Sequence, residues 1–228
     1  MRKKQKHRIW AAIFLLILVT LGVSGYRYES ERTPEYAMEA LMTGLAHQDA
    51  EAVTRYARVD ALAAAAYDES TAILARDIEV LQAEYPQDWF FRHDTAFMEQ
   101  YIAGRRTQDL QLMQRAWALF LQPAAIPAET AEQDDAAWCA REAKEIVPHY
   151  RAKLQAVTPV AAGRAVALLD ITGDDTAYGQ LVPHLSLRLE LEQQEDGHYQ
   201  VVRLANVAEN FAPVVKGIED YCTMKGIQ

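Results

Sequence analysis

The stretch Leu185-Ser-Leu-Arg-Leu-Glu-Leu-Glu192 determines how the carboxyl-terminal part of this chain folds. Leucine occupies every second position, and polar or charged side chains occupy the positions between them. Because successive side chains of a strand point to opposite faces of a sheet, this pattern predicts a β-strand with one buried face and one wet face.

Two further predicted strands lie on either side of this stretch. Small and apolar residues alternate from Ala165 to Ile171, ahead of a turn at residues 173–175. Asp196-Gly197 is a hairpin signal, and the strand after it begins at Tyr199. The expected arrangement is a three-stranded antiparallel meander that starts near residue 163, with a closing helix over residues 213–221.

The residues before the meander carry helical signals. Thr33-Pro34 predicts the start of a first helix. Asp49 is expected to cap a second helix, and Asp60 is expected to cap a third, which ends before Pro86. Two more helices are expected near residues 95–103 and 108–121, with Gly104-Arg105-Arg106 closing the first of them. Thr130 and Gln133 form a capping-box pattern for a last helix, which Pro148 should kink or divide. The predicted fold class is therefore α+β with a helical front half.

The amino terminus has the pattern of a membrane-targeting segment. Five Lys or Arg residues precede Ile9, and the stretch from Ile9 to Tyr26 contains no ionisable side chain until its final tyrosine. A cleavable secretory signal that ends near Val23-Ser24-Gly25 is one interpretation, and an uncleaved transmembrane helix is the other. Aromatic residues at both ends of the apolar stretch favour the uncleaved transmembrane helix. Residues 1–28 are then predicted to form a basic cap followed by a membrane anchor. The positive-inside rule then places residues 29–228 outside the cytoplasmic membrane, as a single-pass protein whose anchor contacts the lipid bilayer.

Composition limits the remaining function classes. The chain of 228 residues has a net charge of −9, although its first eight residues carry five positive charges. A body this acidic lacks the basic surface that nucleic-acid binding requires. We expect one domain over residues 29–228, with the proline- and alanine-rich stretch at 122–128 as a candidate internal boundary. Cys139 and Cys222 are either paired in an oxidising exterior or free and buried.

The segment from Thr33 to Glu69 resembles a group of bacterial membrane-anchored proteins of unknown function. The resemblance rests on Pro34-Glu-Tyr-Ala37, on Tyr56-Ala-Arg-Val-Asp60 and on the pair Tyr67-Asp68. It implies a helical front half and a strand-rich back half, similar to the nuclear-transport-factor-two-like cone. The stretch from Pro86 to about Val157 is longer and more helical than that pattern, and the resemblance implies no particular chemistry.

Motifs for catalysis, cofactors and metals are missing from the sequence. It contains no Gly-x-Ser-x-Gly elbow, no phosphate-binding loop and no His-Glu-x-x-His helix, so we expect no enzyme activity, no cofactor and no metal site. Three function classes stay open. The favoured class is an interaction module for a protein or a polymer of the cell envelope. The second is a receptor for a small apolar ligand in a pocket lined by Trp89, Phe90 and Tyr101, and the third is a cone-fold enzyme that uses a carboxylate such as Asp94.

Overall fold

The computed structural model describes residues 31–86, 90–122 and 134–226, with the backbone alone described at residue 90. These residues form seven α-helices and one four-stranded antiparallel sheet. The helices are α1 (Pro34–His47), α2 (Ala50–Tyr56), α3 (Val59–Arg76), α4 (Ile78–Glu84), α5 (Thr95–Leu121), α6 (Asp135–Ile146) and α7 (Val207–Lys225). The strands are β1 (Tyr150–Ala161), β2 (Arg164–Gly173), β3 (His184–Gln193) and β4 (Tyr199–Leu204), and single 3-10 turns lie at Phe90–Arg92 and Val147–His149.

Side-chain caps start the first two helices where the sequence predicts them. The Tyr36 N–H donates to Thr33 Oγ1 over 3.2 Å, and Pro34 occupies the first turn of α1. The N–H groups of Glu51 and Ala52 both donate to Asp49 Oδ1 over 3.1 Å at the start of α2. These bonds satisfy amide groups that have no partner inside the helix, and both predicted caps are confirmed.

The predicted third helix differs in its start and in its length. Asp60 lies inside the first turn of α3, whose N-cap position is Arg58 without a side-chain bond, so the prediction of an Asp60 cap is wrong. The helix also stops at Arg76, and α4 begins after Asp77. This break lets Ile78 and Leu81 pack with Phe91 and Met98 in a second, smaller core.

The expected break at Gly104 is wrong as well. Helix α5 runs through it for 27 residues. The two arginines after Gly104, which the prediction placed at a helix end, form ion pairs in the middle of α5. Arg106 binds Asp68 of α3 over 2.6 and 2.7 Å, and Arg105 binds Asp109 over 3.1 and 3.0 Å. A glycine in a helix interior costs only about 1 kcal/mol, so contacts along the rest of the helix outweigh it.

The sheet has the strand order β1-β2-β3-β4 and therefore one strand more than the predicted meander. The prediction of three strands is wrong because the sequence pattern does not reveal β1. The register of this strand shifts between Leu154 and Ala156, so the alternation of inward and outward side chains changes phase at Gln155. Pro148 is expected to kink or divide the last long helix. Helix α6 ends at Ile146, a 3-10 turn at Val147–His149 contains the proline, and strand β1 follows.

The main core lies between the inner face of the sheet and the helices. Ala165, Ala167 and Leu169 of β2 are buried there, as their alternation predicts, and Leu191 and Val201 continue the same face. Residues of α1, α2, α5 and α6 cover this face. The antiparallel sheet thus carries helices on one face, while its other face presents mostly polar side chains.

The closing helix α7 begins at Val207, six residues before the predicted start, and contains Pro213 in its interior. Asn206 precedes it and is the one polar side chain that is buried among the described residues, with 4% of its surface exposed. It accepts from the Arg188 N–H over 2.9 Å and donates to the Ser186 carbonyl over 2.7 Å, which joins α7 to β3. This tertiary anchor sets the start of the helix.

No helix within residues 31–86, 90–122 and 134–226 combines the length and the apolar character that crossing a bilayer requires. The predicted transmembrane segment Ile9–Tyr26 and its cap lie outside the described residues. The predicted fold class with a transmembrane helix, and the predicted single-pass location with an extracytoplasmic body, thus find no support in the structure. The corrected fold class is α+β, with seven helices and a four-stranded antiparallel sheet.

Candidate functional site

An open groove of about 570 Å³ lies between the corner that joins α2 to α3 and the carboxyl-terminal end of α5. We call it the α2–α3–α5 groove. Its apolar lining includes Ala57, Val59, Trp117 and Leu121. Trp117 also stacks on Phe120, with ring centroids 5.9 Å apart; Phe120 belongs to the main core, and Trp117 packs against it. The groove therefore has a firm apolar floor that is continuous with the protein interior.

The sheet holds the corner that forms one wall of the groove. Ala57 forms an isolated parallel bridge with Val201 of β4, and the Arg58 N–H donates to the Val201 carbonyl over 2.9 Å. At the end of α2, the Arg55 carbonyl accepts from Gln200 Nε2 over 2.7 Å and lies 2.9 Å from His198 Nε2. These contacts satisfy groups at a helix terminus and fix the direction in which α3 leaves the corner.

Two charged side chains of the groove are available for binding. Arg58 and Asp60 are both exposed and line the groove. Within the described part of the chain, neither side chain has a hydrogen-bond or ion-pair partner. By contrast, in another hollow, between α5 and the start of α6, Arg115 and Asp134 form an ion pair with each other. The α2–α3–α5 groove thus offers an apolar floor together with one cation and one anion.

A second polar site surrounds His149, at the entrance to β1. Its Nδ1 lies 2.9 Å from Asp174 Oδ2 and 3.0 Å from Thr176 Oγ1, while the Thr176 hydroxyl donates to Asp174 Oδ1 over 2.5 Å. The hydroxyl of Thr176, followed by His149, lowers the pKa of Asp174 to about 2. Catalysis by a hydroxyl, an imidazole and a carboxylate requires the hydroxyl and the carboxylate on opposite ring nitrogens. Here both contact Nδ1, so this arrangement ties a loop together and does not activate Thr176.

A third polar group joins the two last helices. Tyr221 of α7 donates to Glu142 of α6 over 2.5 Å, and Lys225 Nζ lies 2.9 Å from the same carboxylate. The hydrogen bond from Tyr221 lowers the pKa of Glu142, and burial raises the pKa of Tyr221. The pKa of Lys225 is raised as well, first by its contact with Tyr178 and then by Glu142. The Tyr178 hydroxyl in turn donates to Glu145 over 3.2 Å, and none of these side chains lines the α2–α3–α5 groove.

The predicted ligand pocket is not tested by the structure. Trp89 and the side chain of Phe90 lie outside the described residues. Tyr101 is half-buried on α5, where it stacks on Phe97 at 5.9 Å and lies beneath the Arg105 guanidinium at 5.3 Å. Asp94, the carboxylate considered for an enzyme, caps α5 by accepting from the Phe97 N–H over 2.8 Å.

No disulfide joins Cys139 to Cys222, and both side chains are half-buried. Burial raises the pKa of the Cys139 thiol, which keeps it in the unreactive protonated form. Within the described ranges, no three His, Cys, Asp or Glu side chains come together in a way that could hold a metal ion.

Comparison with protein-family models, with curated proteins and with solved structures finds no match to this chain. The resemblance of Thr33–Glu69 to bacterial membrane-anchored proteins therefore stays a prediction.

The α2–α3–α5 groove is not predicted by the sequence. Trp117 and Leu121 are recognisable as apolar positions of a helix, and Tyr56-Ala-Arg-Val-Asp60 is recognisable as a corner. The two segments are about 60 positions apart, and no local pattern shows that they face each other. The one available signal is the pair of charges at Arg58 and Asp60, on either side of an inward-facing valine.

Proposed function

We propose that this domain is a protein-interaction module that receives an apolar side chain of a partner polypeptide in the α2–α3–α5 groove. The observation that carries the proposal is an open groove with an apolar floor and two charged side chains that have no partner among the described residues. Interaction sites of proteins commonly combine a central apolar anchor with polar contacts around it.

The distribution of perturbed ionisable groups supports binding rather than catalysis. A catalytic site usually places groups with shifted pKa values inside a hollow. In this domain the strongly shifted groups are Asp174, Lys225, Tyr221 and Tyr67, and each of them has a hydrogen-bond partner away from the groove. The groove itself has the composition of a recognition surface.

Site-specific photocrosslinking tests the proposal. Gln114 and Gln100 are both exposed on α5, but only Gln114 lines the groove. A benzophenone side chain at position 114, introduced in the organism that makes the protein, is expected to capture a defined polypeptide, whereas position 100 serves as the matched control. An adduct of small molecular mass at position 114 would instead support the receptor for a small apolar ligand.

Two variants that replace alanine by glutamate provide a second test. Ala118→Glu places a longer, charged side chain in the groove, and Ala103→Glu makes the same change at an exposed position of α5 outside it. Both changes cost little helix stability, since alanine and glutamate differ by only a few tenths of a kcal/mol. We expect Ala118→Glu to reduce the position-114 crosslink at least tenfold and Ala103→Glu to leave it unchanged. Equal crosslinking in both variants would exclude the groove as the binding site.

A further inference from the structure

Strand β1 lies at an edge of the sheet, and its first half is open. Within the described residues, β2 pairs along one side of β1 and no strand pairs along the other. Helix α1 contacts this strand, and Leu154 packs against the main core on its inner face. Ala152 is exposed and Leu154 is half-buried.

The hydrogen-bond register shows which backbone groups of β1 face outward. The Asp174 N–H donates to the His149 carbonyl over 2.9 Å, which identifies these two residues as a hydrogen-bonded pair. Such pairs alternate along an antiparallel ladder, so the next ones are Arg151 with Thr172 and Lys153 with Asp170. The N–H and C=O groups of Ala152 and Leu154 therefore point away from β2. We call residues 150–154 the open edge segment.

The remainder of the strand is protected against pairing. The bulge at Gln155 interrupts the edge, and beyond it the same alternation places Pro159 among the residues that face outward. Proline has no N–H to offer an incoming strand, and bulges and prolines are common devices that protect sheet edges. The open edge segment carries neither device.

The charges on the open edge segment define what it can bind. Arg151 and Lys153 are exposed on the outer face of the sheet, and within the described ranges neither side chain has a hydrogen-bond or ion-pair partner. The anion closest in register, Asp170, accepts from Gln155 Nε2 over 2.8 Å and lies 3.8 Å from His184 Nε2. Strand β1 contains no acidic residue, although the chain as a whole has a net charge of −9.

We propose that the open edge segment binds an extended acidic peptide of a partner protein by strand addition. The peptide backbone forms hydrogen bonds with Ala152 and Leu154. The carboxylates of the peptide lie on the outer face of the sheet, beside Arg151 and Lys153. Opposite charges on neighbouring strands are favourable, and alternate side chains of an added strand share one face. The fitting partner therefore alternates acidic with apolar residues. This surface is separate from the α2–α3–α5 groove and does not depend on what the groove binds.

Fluorescence anisotropy with synthetic peptides tests strand addition on the full chain. The probe is a labelled peptide of three Glu-Val repeats, and the comparison probes are the Lys-Val equivalent and a Glu-Val peptide with methylated backbone nitrogens. We expect binding of the first peptide alone, with a Kd that rises with salt because the charges are exposed. Equal binding of the methylated peptide would overturn the proposal, since side-chain charge without backbone pairing would then explain the affinity.

Variants of the protein complete the test. The double variant Arg151→Glu/Lys153→Glu should weaken binding about tenfold or more, because attraction at two positions becomes repulsion. Ala152→Pro should remove binding while keeping the bonds between β1 and β2, as Pro159 does in the same strand. Lys144→Glu, a reversal of a cation on α6 that belongs neither to the open edge segment nor to the α2–α3–α5 groove, is the matched control and should leave the Kd unchanged. Absence of Glu-Val binding at millimolar protein concentration would refute the proposal. A concentration-dependent dimer that Ala152→Pro abolishes would also refute it, because a second copy of the chain would then occupy the edge.

Discussion

Replacing Asn206 by alanine should lower the free energy of unfolding by about 2 kcal/mol. Asn206 has 4% of its surface exposed and bridges β3 to α7. Its side chain accepts from the Arg188 N–H over 2.9 Å and donates to the Ser186 carbonyl over 2.7 Å. Alanine removes both bonds and leaves the Arg188 N–H without its acceptor.

The size of the effect depends on the contacts that remain after the change. A part-buried donor that loses its partner costs about 1–3 kcal/mol. The Ser186 carbonyl loses less, because Asn210 Nδ2 also donates to it over 3.0 Å. Asn210→Ala alone should therefore cost less than Asn206→Ala, about 1 kcal/mol or below. In the double variant the Ser186 carbonyl loses both donors, so the combined loss should exceed the sum of the two single losses.

Urea unfolding followed by circular dichroism measures these differences. For a domain of this size, about 2 kcal/mol corresponds to a decrease of roughly 4–8 °C in Tm. The midpoint in urea should move, while the slope of the transition should stay the same. Additive effects of the two substitutions, or a loss below about 0.5 kcal/mol for Asn206→Ala, would show that this bridge does not anchor α7 to β3.

Two other predictions concern acid stability and helix packing. The pKa of Asp174 is lowered to about 2, so its carboxylate stabilises the folded state above the unfolded-state pKa near 3.8, and this stabilisation is lost as the pH falls towards 2. The stability difference between the native chain and Asp174→Asn, measured by urea unfolding from pH 5 to pH 2, should therefore shrink across that window, and a constant difference would contradict the assignment. Gly44→Ala should destabilise the domain, because a Cβ there would lie 2.9 Å from the Ala52 Cβ, whereas Gly104→Ala meets no atom within 4 Å and should stabilise α5 by about 0.5–1 kcal/mol. Thermal unfolding of the two variants compares them directly, and a gain in Tm for Gly44→Ala would show that α1 and α2 can separate at no cost.

The local signals of the sequence predict a large part of the fold. Thr33, Asp49 and Asp94 act as caps, since a side chain that satisfies the first helical amides needs only its own neighbours. The alternation in β2 and β3 likewise identifies the buried positions Ala167 and Leu191.

Errors arise where a distant contact or a change of phase overrides a local pattern. Gly104 should end a helix, but ion pairs at Arg105 and Arg106 lie along a helix that continues. Strand β1 is hidden by its bulge, which shifts the alternation by one residue. The start of α7 depends on Asn206, whose partners belong to β3.

The sequence by itself determined the helical caps at Thr33, Asp49 and Asp94 and the inner face of the central strands. These properties depend on residues within a few positions of one another, where sterics and hydrogen bonding act locally. The tertiary structure alone decided the α2–α3–α5 groove and the open edge segment. The groove exists because Trp117 and Leu121 lie opposite the corner at Arg58, and the edge is open because nothing in the described part of the chain pairs beyond β1. Both surfaces are relations between segments far apart along the chain, which a local pattern cannot encode.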